Sequence, residues 1–277
     1  MGLPIYHVDA FTAKPFRGNP AAVVVFDDAN TDERSHDARW MQSIAAEMNL
    51  AETAFVSRLD DGTWGLRWFT PTVEVRLCGH ATLASAHVLA STGRATSNIP
   101  IEFTTQVSGR LVARQLATVD HSSRIEISLP ALRAPTAPLP ELVANALGVS
   151  TAVFGGYNPL EYWLIVLESH GALQALRPDF SLLRDRDESY AVTAPSDDPA
   201  FDFVSRYFAP GHGIDEDPVT GSAHCVYAPY WTERLGKSIV VGQQISARTG
   251  VVECEPVGDR VLLRGDAVTV FAGTLAI

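Results

Sequence analysis

The stretch LRWFTPTVEVRLCGHATLA, residues 66–84, decides how this chain is read, because RYFAPGHGIDEDPVTGSA, residues 206–223, repeats its pattern. In each, an arginine and two aromatic residues lead to a proline, then a glutamate, then a glycine followed by small residues. The segments RWFTP and RYFAP start 139 residues apart, and Glu74 and Glu216 stand 142 apart, close to half of the 277 residues. Short aromatic runs bounded by turn formers read as strands, and a helix that opens on small apolar residues packs inside a core. Two such matches at half the chain length indicate an internal duplication of one fold.

Working outward, residues 129–140, LPALRAPTAPLP, carry four prolines near the midpoint. Proline has no amide proton and restricts the residue before it, so this stretch is neither helix nor central strand. The expected division is an N-terminal half over 1–129, a proline-rich linker over 130–140, and a C-terminal half over 141–277 whose last strand can pack on the N-terminal half. In the first half 3–9, 20–26, 52–58, 65–69, 101–105, 108–116 and 124–129 read as strands, with helices over 31–48 and 80–92. In the second, strands are expected over 162–168, 190–194, 202–208, 245–253, 260–265 and 267–276. Helices are expected over 139–147, 171–176 and 221–235, the last kinked or ended near Pro229. Regular strand–helix alternation is missing, which excludes a doubly wound parallel sheet and leaves an α+β class.

The chain has 21 Lys and Arg against 32 Asp and Glu, a net charge of −11. No basic excess is available to neutralise phosphates, which argues against a nucleic-acid partner. Three cysteines, Cys78, Cys225 and Cys254, are too few and too separated for a disulfide framework. The N-terminus MGLPIYHVDAF lacks a basic segment followed by an apolar run, and no apolar stretch approaches the ~18 residues of a membrane span, so a cytoplasmic protein with no membrane partner is expected.

The paired glycines, Gly79 and Gly221, are where chemistry gathers. A helix N-terminus presents free amide donors and partial positive charge, so it holds a carboxylate without any lysine. Cys78 and Thr220 occupy equivalent places before the two glycines; His80 and Ser222 follow them, and Asp217 precedes Gly221 by four residues. Glu52, at the head of an apolar strand, is a carboxyl that partial burial tunes for acid–base work. Each residue also has a plain structural reading: a packed histidine, a small core cysteine, a turn-closing aspartate, a strand-end glutamate. No metal-ligand spacing is found, and neither a metal nor a cofactor is expected. A thiol hydrolase pairing Cys78 with His80 is disfavoured, because neighbours one or two apart on a helix do not face each other.

Four blocks, VDAFTAKPFRGNPAAVV (8–24), MQSIAAEMNLAETAFV (41–56), residues 66–89, and RYFAPGHGIDEDPVTGSAH (206–224), resemble the PhzF-like proteins of phenazine biosynthesis, which share the diaminopimelate epimerase fold. The resemblance implies two pseudo-symmetric domains, each a strand-rich sheet around a central helix, an active site in the cleft between them, and a homodimer. It further implies acid–base chemistry at Glu52, with His80 and Asp217 as catalytic partners. Asn19, Gly79, Gly221 and Ser222 would line the substrate site. True racemases of this fold place a thiol on each side of the substrate carbon; here Cys78 matches the first, but Thr220 stands at the second. The expectation is therefore a cofactor-independent isomerase that moves a proton between carbons of a small carboxylic acid. The alternatives are an amino-acid racemase or epimerase using Cys78, and a non-catalytic protein that binds small acids.

Overall fold

A computed structural model of the chain describes residues 2–29, 32–96, 99–119, 122–150, 154–158 and 162–277. It divides into two compact units, Met1–Leu129 with Leu263–Ile277, and Pro130–Leu262.

The first unit holds β1 (Leu3–Ala10), β2 (Asn19–Phe26), α1 (Ala38–Met48), β3 (Glu52–Arg58), β4 (Trp64–Phe69), β5 (Glu74–Val75), α2 (Gly79–Ser91), β6 (Ile101–Thr104), β7 (Arg110–Val119) and β8 (Ser122–Pro130). The second holds α3 (Glu141–Leu147), β9 (Phe154–Asn158), β10 (Tyr162–Val166), α4 (His170–Ala175), β11 (Ser189–Pro195), β12 (Phe203–Phe208), α5 (Gly221–Leu235), β13 (Val240–Gln244) and β14 (Gly250–Val257). The last strand, β15 (Arg260–Leu275), begins in the second unit and runs into the first. There it pairs with β1 and with β8, so the sheet of the first unit closes on itself. Residues 260–275 thus form one strand instead of the two that their sequence suggests, and 245–249 is a turn between β13 and β14 rather than the start of a strand. Helix α1 starts only at Ala38, because Asp37 accepts hydrogen bonds from the amides of Arg39 and Trp40 and caps it there; residues 33–35 make a separate 3-10 turn. The expected start of that helix at residue 31 lies outside the described residues.

The duplication is visible strand by strand. In the first unit the pairs β1–β2, β2–β3, β3–β4, β4–β6 and β6–β7 run antiparallel, parallel, antiparallel, parallel, antiparallel. The pairs β9–β10, β10–β11, β11–β12, β12–β13 and β13–β14 follow the same alternation. The repeated Arg and Glu are equivalent as well. Arg67 donates to both oxygens of Glu74 at 2.7 and 2.8 Å, and Arg206 to both of Glu216 at 2.8 Å. Each guanidinium also lies over the phenylalanine two residues on, 5.1 Å above Phe69 and 4.9 Å above Phe208. Such bidentate pairs fix geometry as well as charge.

Helix α2 packs against β1, β2, β3 and β7 and is buried from Gly79 through Leu89. Its hydroxyls bond back onto the helix, and one ring nitrogen of His87 finds a partner on β15. The hydroxyls of Thr82 and Ser85 donate to the carbonyls of Cys78 and Ala81 at 2.6 and 2.7 Å, and His87 Nε2 meets the Thr269 hydroxyl at 2.9 Å.

Helix α5 contains Pro229 yet runs unbroken from Gly221 to Leu235. Proline removes the amide that would bond the carbonyl four residues earlier. That carbonyl, on Cys225, instead accepts from the amide of Leu132 at 3.0 Å. The donor comes from the proline-rich stretch, which is bonded into the second unit. Its Ala137 amide donates to the Gly155 carbonyl at 2.9 Å, and the Tyr157 amide donates to the Pro135 carbonyl at 3.0 Å. The stretch therefore covers β9, the outermost strand of its unit, a common way to protect a sheet edge. Gly156 allows the approach: a Cβ there would lie 2.5 Å from the Ala134 carbonyl oxygen.

Two stability predictions follow from these contacts. Gly156→Ala forces the strap off β9, with an expected loss of about 1–3 kcal/mol in urea unfolding; unchanged stability would show the approach to be loose. The second concerns acid. Burial pushes the imidazoles of His87 and His224 down to about 4, whereas in the unfolded chain they titrate near ~6.5. Across that window the unfolded state takes up protons that the folded state refuses. Stability is therefore full above about pH 6.5 and falls as pH drops towards 4, by on the order of 3 kcal/mol per ring. Thermal melts between pH 7.5 and 4.5 should show this loss, and His87→Gln should flatten it.

Candidate active site

In the first unit, three separate chain features bring four side chains together. Asn49 ends α1 in the left-handed conformation, φ 49°, and the chain re-emerges at Glu52, the first residue of β3. Gly18, φ +65°, precedes Asn19 at the head of β2; a Cβ there would fall 2.1 Å from the Ala10 carbonyl oxygen, so only glycine fits. Cys78 is the extended residue at the start of α2, with His80 one residue inside the helix.

His80 is the centre of this group. Its Nε2 lies 3.2 Å from Glu52 Oε2, its Nδ1 3.1 Å from Asn19 Nδ2, and the Cys78 Sγ 3.5 Å from the same Nδ1. Burial pushes its pKa down to about 3, so the ring is neutral. An amide nitrogen can only donate; with Asn19 oriented this way, Nδ1 accepts and the single ring proton sits on Nε2, beside the carboxylate but out of hydrogen-bond alignment with it. The Glu52 side chain retains 14% of its exposure, so it borders solvent while its partner does not.

The sulfur contact corrects the expectation that Cys78 and His80 cannot face each other. Cys78, at φ −140° and ψ 114°, lies outside the helix, and the helical spacing argument does not apply to it. Glu52, Cys78 and His80 consequently offer a carboxylate, a thiol and an imidazole whose ligand atoms all fall within 4.8 Å of one another. The other described thiols have no such company: burial pushes Cys225 up to about 12, and Cys254 is fully buried.

In the second unit, Asp217, Thr220, Gly221 and Ser222 assemble at the N-terminus of α5. The Thr220 hydroxyl donates to Asp217 Oδ2. Neither Thr220 nor Cys78 caps its helix with a side-chain hydrogen bond. Ser222 Oγ stands 3.2 Å from the hydroxyl of Tyr162.

Two contributors were not apparent from sequence. Gln244, fully buried at the end of β13, accepts from the Thr220 amide at 2.9 Å and donates to the Asp217 carbonyl at 2.7 Å. It clamps the turn that presents Asp217. Nothing in its neighbourhood, VVGQQIS, distinguishes it from a strand-end residue. Asp9, fully buried in β1, accepts from the Phe16 amide at 2.6 Å and anchors the loop that delivers Asn19. Here a signal existed: a lone carboxylate in an apolar strand requires a partner. A cavity of about 510 Å³ in the second unit, between the proline-rich stretch and Tyr230 and Arg234 of α5, contains none of these residues.

The family model for phenazine biosynthesis-like proteins matches residues 8–273. A protein of Halalkalibacterium halodurans, named as an uncharacterized isomerase, is 43% identical over the full length of both chains. The crystal structure of a PhzF-family protein from Enterococcus faecalis superposes with a TM-score of 0.87 at 35% identity, covering 100% of both chains. A hydroxyproline epimerase from Agrobacterium vitis, at 9% identity and a TM-score of 0.59 over 99% of this chain and 92% of its own, shares the fold. The chain belongs to the phenazine biosynthesis-like protein family, has the diaminopimelate epimerase-like fold, and is an isomerase. Among the described residues no helix is long and apolar enough to cross a membrane.

Replacing Gln244 with Leu strips the Thr220 amide and the Asp217 carbonyl of buried partners. An unfolding free energy lower by about 1–3 kcal/mol is expected for each group left unpaired, with Gln244→Glu intermediate because it can still accept from the amide. Wild-type stability in Gln244→Leu would show that water replaces the clamp.

Proposed function

We propose that this family member is a cofactor-independent isomerase that moves a proton between carbons of a small carboxylic acid, with Glu52 as the single acid–base group. The observation that carries the reading is the 3.2 Å approach of Glu52 Oε2 to Nε2 of a buried, neutral imidazole. A neutral ring lies against the carboxylate without adding the positive charge that would weaken it as a base. Glu52 takes the proton from an activated carbon of the substrate and returns it, or a solvent-exchanged one, at another carbon on the same face. His80, fixed by Asn19, packs the Nε2 edge of its ring against Glu52 and limits where the carboxylate can swing.

Substrate carboxylate binding is assigned to the helix N-terminal amides that follow Cys78, which its side chain does not cap. Such amides are preorganised donors that also stabilise enolate-like charge as the proton leaves. Gly79 lines the carboxylate site, and Asp217, Gly221 and Ser222 form the equivalent group at the N-terminus of α5 in the second unit. Small acids therefore bind without basic side chains, in keeping with the net charge of −11.

The racemase reading is weaker because it needs a second thiol, and Thr220, the residue that matches Cys78 in the repeat, supplies a hydroxyl already committed to Asp217. The binder reading leaves the carboxylate–imidazole pair without a purpose.

The test is proton exchange. The protein is incubated in D₂O with a panel of small amino acids, hydroxy acids and dihydroaromatic acids, and deuterium at carbon is followed by NMR. Exchange with migration of unsaturation, reduced about 10²–10⁴-fold in Glu52→Gln, is the expected result. A Glu52→Gln protein with full activity removes Glu52 from this role. Inversion at one carbon that is lost in Cys78→Ala would favour the racemase, and binding without exchange the binder.

A further inference from the structure

The grouping of a carboxylate, a thiol and an imidazole is more than proton transfer at Glu52 requires. We propose that Glu52, Cys78 and His80 form a binding site for one thiophilic divalent cation of the zinc class, and that loading it switches off the acid–base chemistry. The second part rests on the function proposed above; the first does not.

Zinc bonds of about 2.0–2.3 Å place the ligand atoms of a tetrahedral site roughly 3.2–3.7 Å apart. Two separations in the trio already have that length: Glu52 Oε2 to His80 Nε2 at 3.2 Å, and Cys78 Sγ to His80 Nδ1 at 3.5 Å. The ring offers one nitrogen to a metal, so one ligand must move. With one ring nitrogen counted, the three ligand atoms lie within 4.8 Å of one another, and a side-chain rotation at Cys78 is the movement that would close them onto a common ion.

An independent observation comes from His80. Its Nε2 is buried and has no hydrogen-bond partner, because the nearby Glu52 oxygen lies off the direction a hydrogen bond needs. A buried polar atom left in that state costs free energy, and a metal would satisfy it. The surroundings also suit a ligating histidine. With Nε2 on the ion the ring proton moves to Nδ1, where Asn19, 3.1 Å away, accepts it after its amide turns over. A carboxylate and a thiolate balance the dication, so the loaded site is neutral. The sulfur and imidazole select zinc-like ions over magnesium or calcium, which prefer all-oxygen shells.

The step is an exchange without redox change. The Cys78 S–H bond breaks as the sulfur–metal bond forms, its proton passes to solvent, and one Glu52 oxygen becomes a ligand. A coordinated Glu52 cannot also accept a proton from carbon, so the loaded protein is inactive.

Cobalt(II) titrated into the full-length protein should give a thiolate-to-metal charge-transfer band that saturates at one ion per chain. The band should be lost in Cys78→Ser and kept in the Cys225→Ser/Cys254→Ser double variant. X-ray absorption at the zinc edge of the wild-type protein, which requires no variant to fold, should show one sulfur scatterer with nitrogen and oxygen neighbours. Zinc should abolish deuterium exchange and EDTA should restore it. A zinc shell without sulfur, a cobalt band that persists in Cys78→Ser, or exchange unaffected by zinc would overturn the proposal. A Glu52→Gln protein that remained active would instead overturn the functional reading and leave the cobalt band standing.

Discussion

A helix buried on every side must begin inside protein, and its first amides cannot be left to water. This constraint organises the molecule. In α2 the hydroxyls of Thr82 and Ser85 turn back onto the carbonyls of their own helix, so polar residues survive within a closed sheet. At the N-terminus the Cys78 side chain does not perform the equivalent service for the amides. The same is true of α5, where the Thr220 hydroxyl is occupied by Asp217 and the Thr220 amide by Gln244. A protein that leaves strong donors uncapped at both central helices has conditions suited to an anionic ligand, and the titratable groups stand beside those ends.

Much of this could be read from the sequence because the repeat carries its own chemistry. The Arg67–Glu74 and Arg206–Glu216 pairs are the contacts that made the two stretches look alike, and they brace equivalent strands. Glycines 79 and 221 open the two central helices, and Asn49 ends α1 ahead of Glu52. These features are local, set by residues within a turn or two of one another. Glu52, His80, Asn19 and Cys78 do meet, although they are spread over sixty residues, because each lies at the start or lip of an element that the pattern marks.

What the sequence concealed is non-local. Gln244 matters only because β13 runs past the turn before α5, and no spacing rule links residues 217 and 244. The continuity of α5 through Pro229 depends on an amide ninety-seven positions earlier in the chain. The proline-rich stretch looks like a tether by composition, yet its exposed backbone groups are the ones that complete a helix and cover a strand. The Cys78–His80 contact was hidden for a different reason: two residues apart implies divergence on a helix, and the argument fails when one of them precedes it.

The route of β15 has a consequence for how the chain is made. The first unit needs residues 263–277 to join β1 to β8, whereas the second consists of the single continuous run 130–262. Domains emerging from a ribosome ordinarily mature in order of synthesis. Here the earlier portion has to wait, its β1 and β8 edges unjoined, until residues 263–277 have been translated. The run 130–262 can settle before it, so the unit that carries Glu52 and His80 is begun before that run and completed after it.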